Sequence, residues 1–300
     1  MRIISRSSGY ASALLLAGTA ALAAPAAVQA SALRPAPPVV PCSSSALVAA
    51  IQQANSARFA TLVLSRGCDY VLTKAVSGKD GLPPITGNLV VLGTGGTTIS
   101  RSSTAAFRIF DVADHARLTL VNLTVANGNS GNEVGGGIID EGTLVLRNVR
   151  LTGNTAPSGG GLEVQNGAHA TISSSELDGN NATDAVGGAI DSSADLVVDH
   201  SRVTGNTAHS FGGGVFTSDP GTSRITGTVV ARNVAGSTGG GIVNTTGATT
   251  VLIGDRVVFN RAVSGGGIFN GGTIQLRFTL VAFNSPDNCT PQGAVQGCRH

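Results

Sequence analysis

The sequence predicts an all-β fold, a single-stranded parallel β-helix with coils of about 26 residues, and three observations predict it. The first is a repeated phrase: VTGNTAHSFGGGVF at 203–216 restates LTGNTAPSGGGL at 151–162. The second is a pair of markers in step. The glycine clusters Gly135-Gly136-Gly137-Ile138, Gly159-Gly160-Gly161-Leu162, Gly187-Gly188-Ala189-Ile190, Gly212-Gly213-Gly214-Val215, Gly239-Gly240-Gly241-Ile242 and Gly265-Gly266-Gly267-Ile268 recur every 24 to 28 residues. Asn127, Asn154, Asn180, Asn206, Asn233, Asn260 and Asn284 recur every 24 to 27. Such a period means a solenoid, a propeller or an array; a propeller blade needs about 40 residues for its four strands. The segments between markers are short, β-branched and broken by Gly, Asn, Ser and Thr, which excludes helical repeats. The third observation is register. Eight residues before the marker Asn stand Leu146, Ile172, Val198, Ile225, Leu252 and Leu276, and three before it stand Leu151, Leu177, Val203, Val230, Val257 and Val281. Stacked about 4.8 Å apart, these become aliphatic columns filling the interior.

The elements follow in chain order. Arg2 and Arg6 precede an apolar run from Ala11 to Ala24 and the small-residue site Val28-Gln29-Ala30, so residues 1–30 read as a secretory signal peptide. No other stretch has the length of a membrane span. Residues 31–41, SALRPAPPVVP, read as a proline-rich leader. The β-helix domain is expected over 42–298. Within it, 42–70 form an N-terminal cap, with Ser43 to Ser45 offering an N-cap to a short helix carrying Ala46, Leu47, Ala50, Ile51 and Ala54. Residues 285–298 close a plug at the other end. The cysteines fall into local pairs, Cys42 with Cys68 and Cys289 with Cys298, and export favours disulfides over metal ligation. In each coil the marker Asn suits left-handed backbone and can bond the Asn above and below, while glycine permits close approach.

The run GLPPITGNLVVLG, then FRIFDV, LTLVNLTVANG and the repeated GGGI with GN or FN, resembles the secreted right-handed parallel β-helix proteins of bacteria. Their repeats are similar to those of polymorphic outer membrane proteins, and they share the pectate-lyase-like architecture. Right-handedness is what the resemblance implies. It covers roughly 42–298 and says little about activity, because the architecture hosts lyases, glycosidases, phage tailspikes and adhesins alike.

Three groups of side chains are candidates for chemistry. Glu163 and Asp191 share an offset on adjacent coils, with Asp140 one residue out of register on the coil before. Carboxylates stacked about 5 Å apart repel, raise one pKa, or hold calcium, and the pair Asp140 and Asp191 comes closest to inverting-glycosidase spacing. No Lys or Arg at equivalent offsets joins them, and a solvated outer face is the plainer reading. In later coils the same offset carries Phe216, Val243 and Phe269, either an exposed apolar binding stripe or a surface stacked against a flanking loop. Arg150, Glu176 and Arg202 alternate in sign and read as a structural ladder. His169, His200 and His209 lack the spacing of a zinc site, and Asp255 sits in a column otherwise filled by Val149, Ser175, Ser201, Thr228 and Thr279.

The formal charge is +2, and removal of Arg2 and Arg6 leaves 17 basic against 17 acidic residues, with no basic run for nucleic acid. Aromatics make up 4% and Trp is absent, which argues against a deep sugar-stacking cleft. The expected function is therefore a secreted, extracellular or wall-associated monomeric scaffold that binds a glycan, surface component or other partner without catalysis and without a cofactor. The alternative is a lyase or hydrolase acting on an acidic polysaccharide, with calcium as a possible ligand.

Overall fold

A computed structural model describes residues 37 and 39–299; the expected signal peptide and most of the expected leader lie outside them. The chain winds into a parallel β-solenoid of about nine turns, and every pairing between its named strands is parallel. Each full coil contributes to up to four sheets. The first is ten-stranded and built mostly of five-residue strands such as Thr143–Arg147, His169–Ser173 and Thr249–Ile253. The second is nine-stranded and includes Arg150–Thr152, Glu176–Asp178 and Leu280–Ala282. The third has four two-residue strands, and the fourth has eight, from Phe110–Val112 to Cys289–Thr290.

The aliphatic columns are the core. Leu146 pairs with Ile172 and then Val198, Leu151 with Leu177 and then Val203, and all six are buried. Two hydrogen-bond ladders bracket the second sheet. In the first, Asn154 Nδ2 donates to Asn180 Oδ1 at 3.0 Å, Asn180 to Asn206 at 3.0 Å, Asn206 to Asn233 at 2.9 Å, Asn233 to Asn260 at 3.0 Å and Asn260 to Asn284 at 3.0 Å. Each Nδ2 also donates to a main-chain carbonyl of the coil before, as Asn206 does to Leu177 O at 2.9 Å. Each Oδ1 takes a second bond from the preceding Asn's own N–H, as Asn206 does from Asn180 at 2.9 Å. Every amide in the column is thereby satisfied away from water. In the second ladder the N–H groups of Ser175, Ser201 and Thr228 donate to Ser201 Oγ, Thr228 Oγ1 and Asp255 Oδ1. Asp255 is thus a buried, hydrogen-bonded member of its column.

Two expectations about the asparagines are corrected. Asn127 is not a rung: Gly128 occupies that position, its N–H donating to Asn154 Oδ1 at 2.9 Å, while Asn127 takes the place of Gly153. Nor are the rungs left-handed. The turn is made by the residue before each rung, with φ between 57° and 67° at Asn127, Gly153, Gly179, Gly205, Arg232, Phe259 and Phe283.

A short helix stands near the N-terminus and a disulfide ties each end. The helix Ser44–Asn55 starts at Ser43, whose side chain accepts from Ala46 N at 3.1 Å, and it seals the first coil with Leu47, Ile51 and Ala54. Cys42 is bonded to Cys68, and Cys289 to Cys298. The solenoid starts earlier than residue 42, because Val39–Val40 pairs with Val63–Leu64 and buries Val40. At the far end Asn288 Oδ1 accepts from Asn284 Nδ2 at 3.1 Å and closes the Asn ladder, while Cys289 and Val295 are buried. The plug covers only part of that end, since Ile274 and Leu276 of the last first-sheet strand remain half-buried.

Candidate functional site

The fourth sheet places the acidic candidates. Its three-residue strands bury their first and third side chains and turn the middle one outward, as period-two alternation requires. The outward column runs Asp111, Ile139, Glu163, Asp191, Phe216, Val243, Phe269. Glu163 and Asp191 therefore stand side by side, as their shared offset predicts. Asp140 does not join them. It pairs with Val164 in the inward column and is 0% exposed. A shift of one residue along a strand moves a side chain to the opposite face, so a diagonal glycosidase pair of Asp140 with Asp191 is ruled out. Asp140 Oδ1 accepts from Gly142 N at 3.1 Å, Oδ2 has no partner, and burial pushes its pKa up to about 7.

The outward pair is itself covered. The first glycine of each cluster takes a left-handed turn, φ 59° at Gly159 and 66° at Gly187, and lays the incoming segment across the column. A Cβ on Gly159 would stand 2.6 Å from Glu163 Oε2, and one on Gly187 would stand 2.7 Å from the Cβ of Asp191. The clusters are needed because a side chain there has no room. Burial first, then the charge of Asp191, raises the Glu163 pKa strongly, and burial raises that of Asp191 as well. Glu163 Oε2 lacks a partner while both groups are ionised; once protonated it can donate to Asp191. One proton can thus be shared between Glu163, which is buried, and Asp191, which is half-buried.

Sequence reasoning missed the positive charge at this wall. Arg108 is buried and pairs with Asp80 at 2.8 Å; burial raises the pKa of both Asp80 and Glu163, and the Arg108 charge offsets part of each rise. It lies before the strand Phe110–Val112, outside the repeating offsets. Among the described residues no three of His, Cys, Asp and Glu come together as a metal-holding group. His200 instead approaches Asp199 at 2.9 Å and His169 approaches Asp195 at 3.8 Å.

The stripe of Phe216, Val243 and Phe269 follows the acidic pair in register, but it is not an exposed surface. Val243 is 2% exposed, and the two phenylalanines are partly covered. Gly212 lies against Phe216 and Gly239 against Val243, the same cover that lies over Glu163. Stacking against the flanking segment is the reading that holds.

The open surface lies elsewhere, beside the second sheet. Arg150, Glu176 and Arg202 are in register, at 3.8 and 3.9 Å across the two pairs, and Arg150 additionally forks onto Asp178 with two bonds of 2.7 Å. One strand back, Asn122, Asn148, Ser174 and His200 form a corner column with φ between 45° and 57°. Together they line a polar groove of about 350 Å³ crossing several coils. Asn148 Nδ2 donates to Asn122 Oδ1 at 2.8 Å, so successive coils offer the same kind of polar group. Also unforeseen were Phe259, Phe278 and Phe283, which are 51%, 98% and 71% exposed in the last coils. For Phe259 and Phe283 the signal was present where LTGN, LDGN and VTGN become VVFN and VAFN.

Among the described residues no helix is long and apolar enough to cross a membrane. A family model described as right handed beta helix region matches residues 89–281. No curated protein and no solved structure matches the chain.

Proposed function

The chain belongs to the right-handed β-helix family, and from that premise we propose that it is a secreted, non-enzymatic scaffold that binds an extracellular glycan through the polar groove beside its second sheet. One observation carries the reading. The repeated polar groups of the groove are open to solvent, whereas Asp140 and Glu163 are buried and Asp191, half-buried, lies against Gly187. Amides, hydroxyls and an imidazole recurring once per coil suit an extended polysaccharide, whose hydroxyls also recur along the chain. The two disulfides fit an oxidising, extracellular setting.

The test is a glycan array probed with the purified protein, followed by titration of any hit against Asn148→Ala, Ser174→Ala and His200→Ala. Each removes one groove contact and should weaken binding several-fold. Unchanged affinity in all three, or no hit on the array, refutes the groove as the binding surface.

A second reading has one observation in its favour, the proton-sharing pair Glu163 and Asp191, since such pairs are common in hydrolase sites. It requires the cover that Gly159 and Gly187 lay over Glu163 and Asp191 to open. Assays for new reducing ends and unsaturated products, with wild type against Glu163→Gln combined with Asp191→Asn, separate the two readings.

A further inference from the structure

The two ends of the solenoid are finished differently. The first coil is sealed by the helix Ser44–Asn55, whereas among the described residues the strand Thr273–Arg277 has a neighbour on one side only. Its hydrogen bonds fix which groups are free. Thr273 N donates to Ala248 O at 3.0 Å and Arg277 O accepts from Gly254 N at 2.8 Å, both toward the preceding coil. Alternation along the strand then turns the N–H and C=O of Ile274 and Leu276 to the open edge. Leu276 ends a column whose other members, from Leu146 to Leu252, are fully buried, yet it is half-buried, and so is Ile274. A groove of about 430 Å³ follows this strand, with Gln296 and Gly297 of the plug on its far side. Phe278 follows the strand, 98% exposed, at a corner that Gly227 and Gly254 fill in earlier coils. An unpaired edge beside exposed apolar side chains is a feature that soluble proteins otherwise blunt.

We propose that this edge is a self-association surface, on which a second copy lays its own Thr273–Arg277 strand antiparallel about a two-fold axis through Gln275. The register follows from the sequence of the strand. Ile274 falls opposite the second copy's Leu276, and each donates to and accepts from the other, which gives four main-chain hydrogen bonds across the axis and joins the two cores. Gln275 meets its own counterpart in the close, non-hydrogen-bonded pair. Thr273 meets Arg277, so no like charges are opposed. Beyond the paired strands, Phe278 falls beside the second copy's Gly272. The contact is isologous and closes at two copies, and the lidded N-terminal end gives a growing filament no place to continue.

The test is sedimentation equilibrium over a micromolar concentration series. Wild type should approach twice the mass of one chain. Gln275 is exposed and its Oε1 accepts from Arg277 Nη2 of the same strand at 3.2 Å, so Gln275→Lys and Gln275→Glu should fold normally, as unfolding midpoints of the monomers will show. Each alone opposes two like charges and should dimerise at least about tenfold more weakly; an equal mixture of the two should recover the wild-type affinity. A wild type that stays at the mass of one chain overturns the proposal. So do charge variants that dimerise like wild type, or a mixture that stays monomeric.

Discussion

At the scale of single residues, the stability of the molecule rests on buried polar groups that are individually costly to disturb. Asn206 accepts two bonds from Asn180 and donates to Leu177 O and Asn233 Oδ1. Asn206→Ala leaves partners unsatisfied on both neighbouring coils, and each such group costs about 1–3 kcal/mol. We expect a loss of at least ~3 kcal/mol in urea unfolding, and a loss below ~1 kcal/mol would show that water replaces the rung. The buried carboxyls act in the opposite direction with pH. Asp140 is raised from 3.8 to about 7, so the native state binds more protons than the unfolded chain between those values. Its contribution is complete below about pH 4 and is lost as the pH rises to about 7. Glu163, raised more strongly, prolongs the decline above that. Melting temperature should therefore fall from acid to mildly alkaline pH, and Asp140→Asn combined with Glu163→Gln should flatten the profile and raise the melting temperature at neutral pH. A wild-type profile that rises across this window contradicts the assignment. Phe278 is a third case. Its left-handed backbone is unfavourable for a side chain, so Phe278→Gly should stabilise the monomer by about 1 kcal/mol while removing a contact from the proposed dimer.

At the scale of elements, each strand is specified by its place in a column more than by its own composition. Leu177 is wholly buried between Leu151 and Val203, and Leu177→Asp sets an unpaired carboxylate inside the second sheet at a cost of several kcal/mol. Its melting temperature should collapse relative to wild type; near-equality would mean that Leu177 faces solvent. Offsets from the marker Asn made these columns legible in the sequence, as they did the neighbouring pair Glu163 and Asp191. Faces were harder to read. Asp140 lies one residue from that offset, and one residue is the difference between wall and core. Asn127 imitates a rung because NG and GN carry the same residues in opposite order. What covers a column was not legible at all, because it depends on segments folding back at Gly159, Gly187, Gly212 and Gly239. For the same reason Phe216 and Phe269 left two readings open, exposed stripe or covered surface, until the structure showed both partly covered. Val39–Val40 was hidden among prolines, and Arg108 lies outside the repeat.

At the scale of the whole molecule, repetition supplies length, a continuous core and a groove along which several successive coils present polar groups, and it leaves only the ends to be solved individually. One end is lidded by a helix, the other is partly plugged and bears a free strand edge. The central claim is that this surface holds a partner and transforms nothing. The most direct measurement is product formation: the purified protein at high concentration with pectic and other acidic polysaccharides, with new reducing ends and unsaturated uronates read over long incubation beside a binding assay on the same samples. Binding to at least one glycan, with product no higher than in the protein-free control, is the predicted result. Product that appears with wild type and disappears when Glu163→Gln and Asp191→Asn are combined would contradict it.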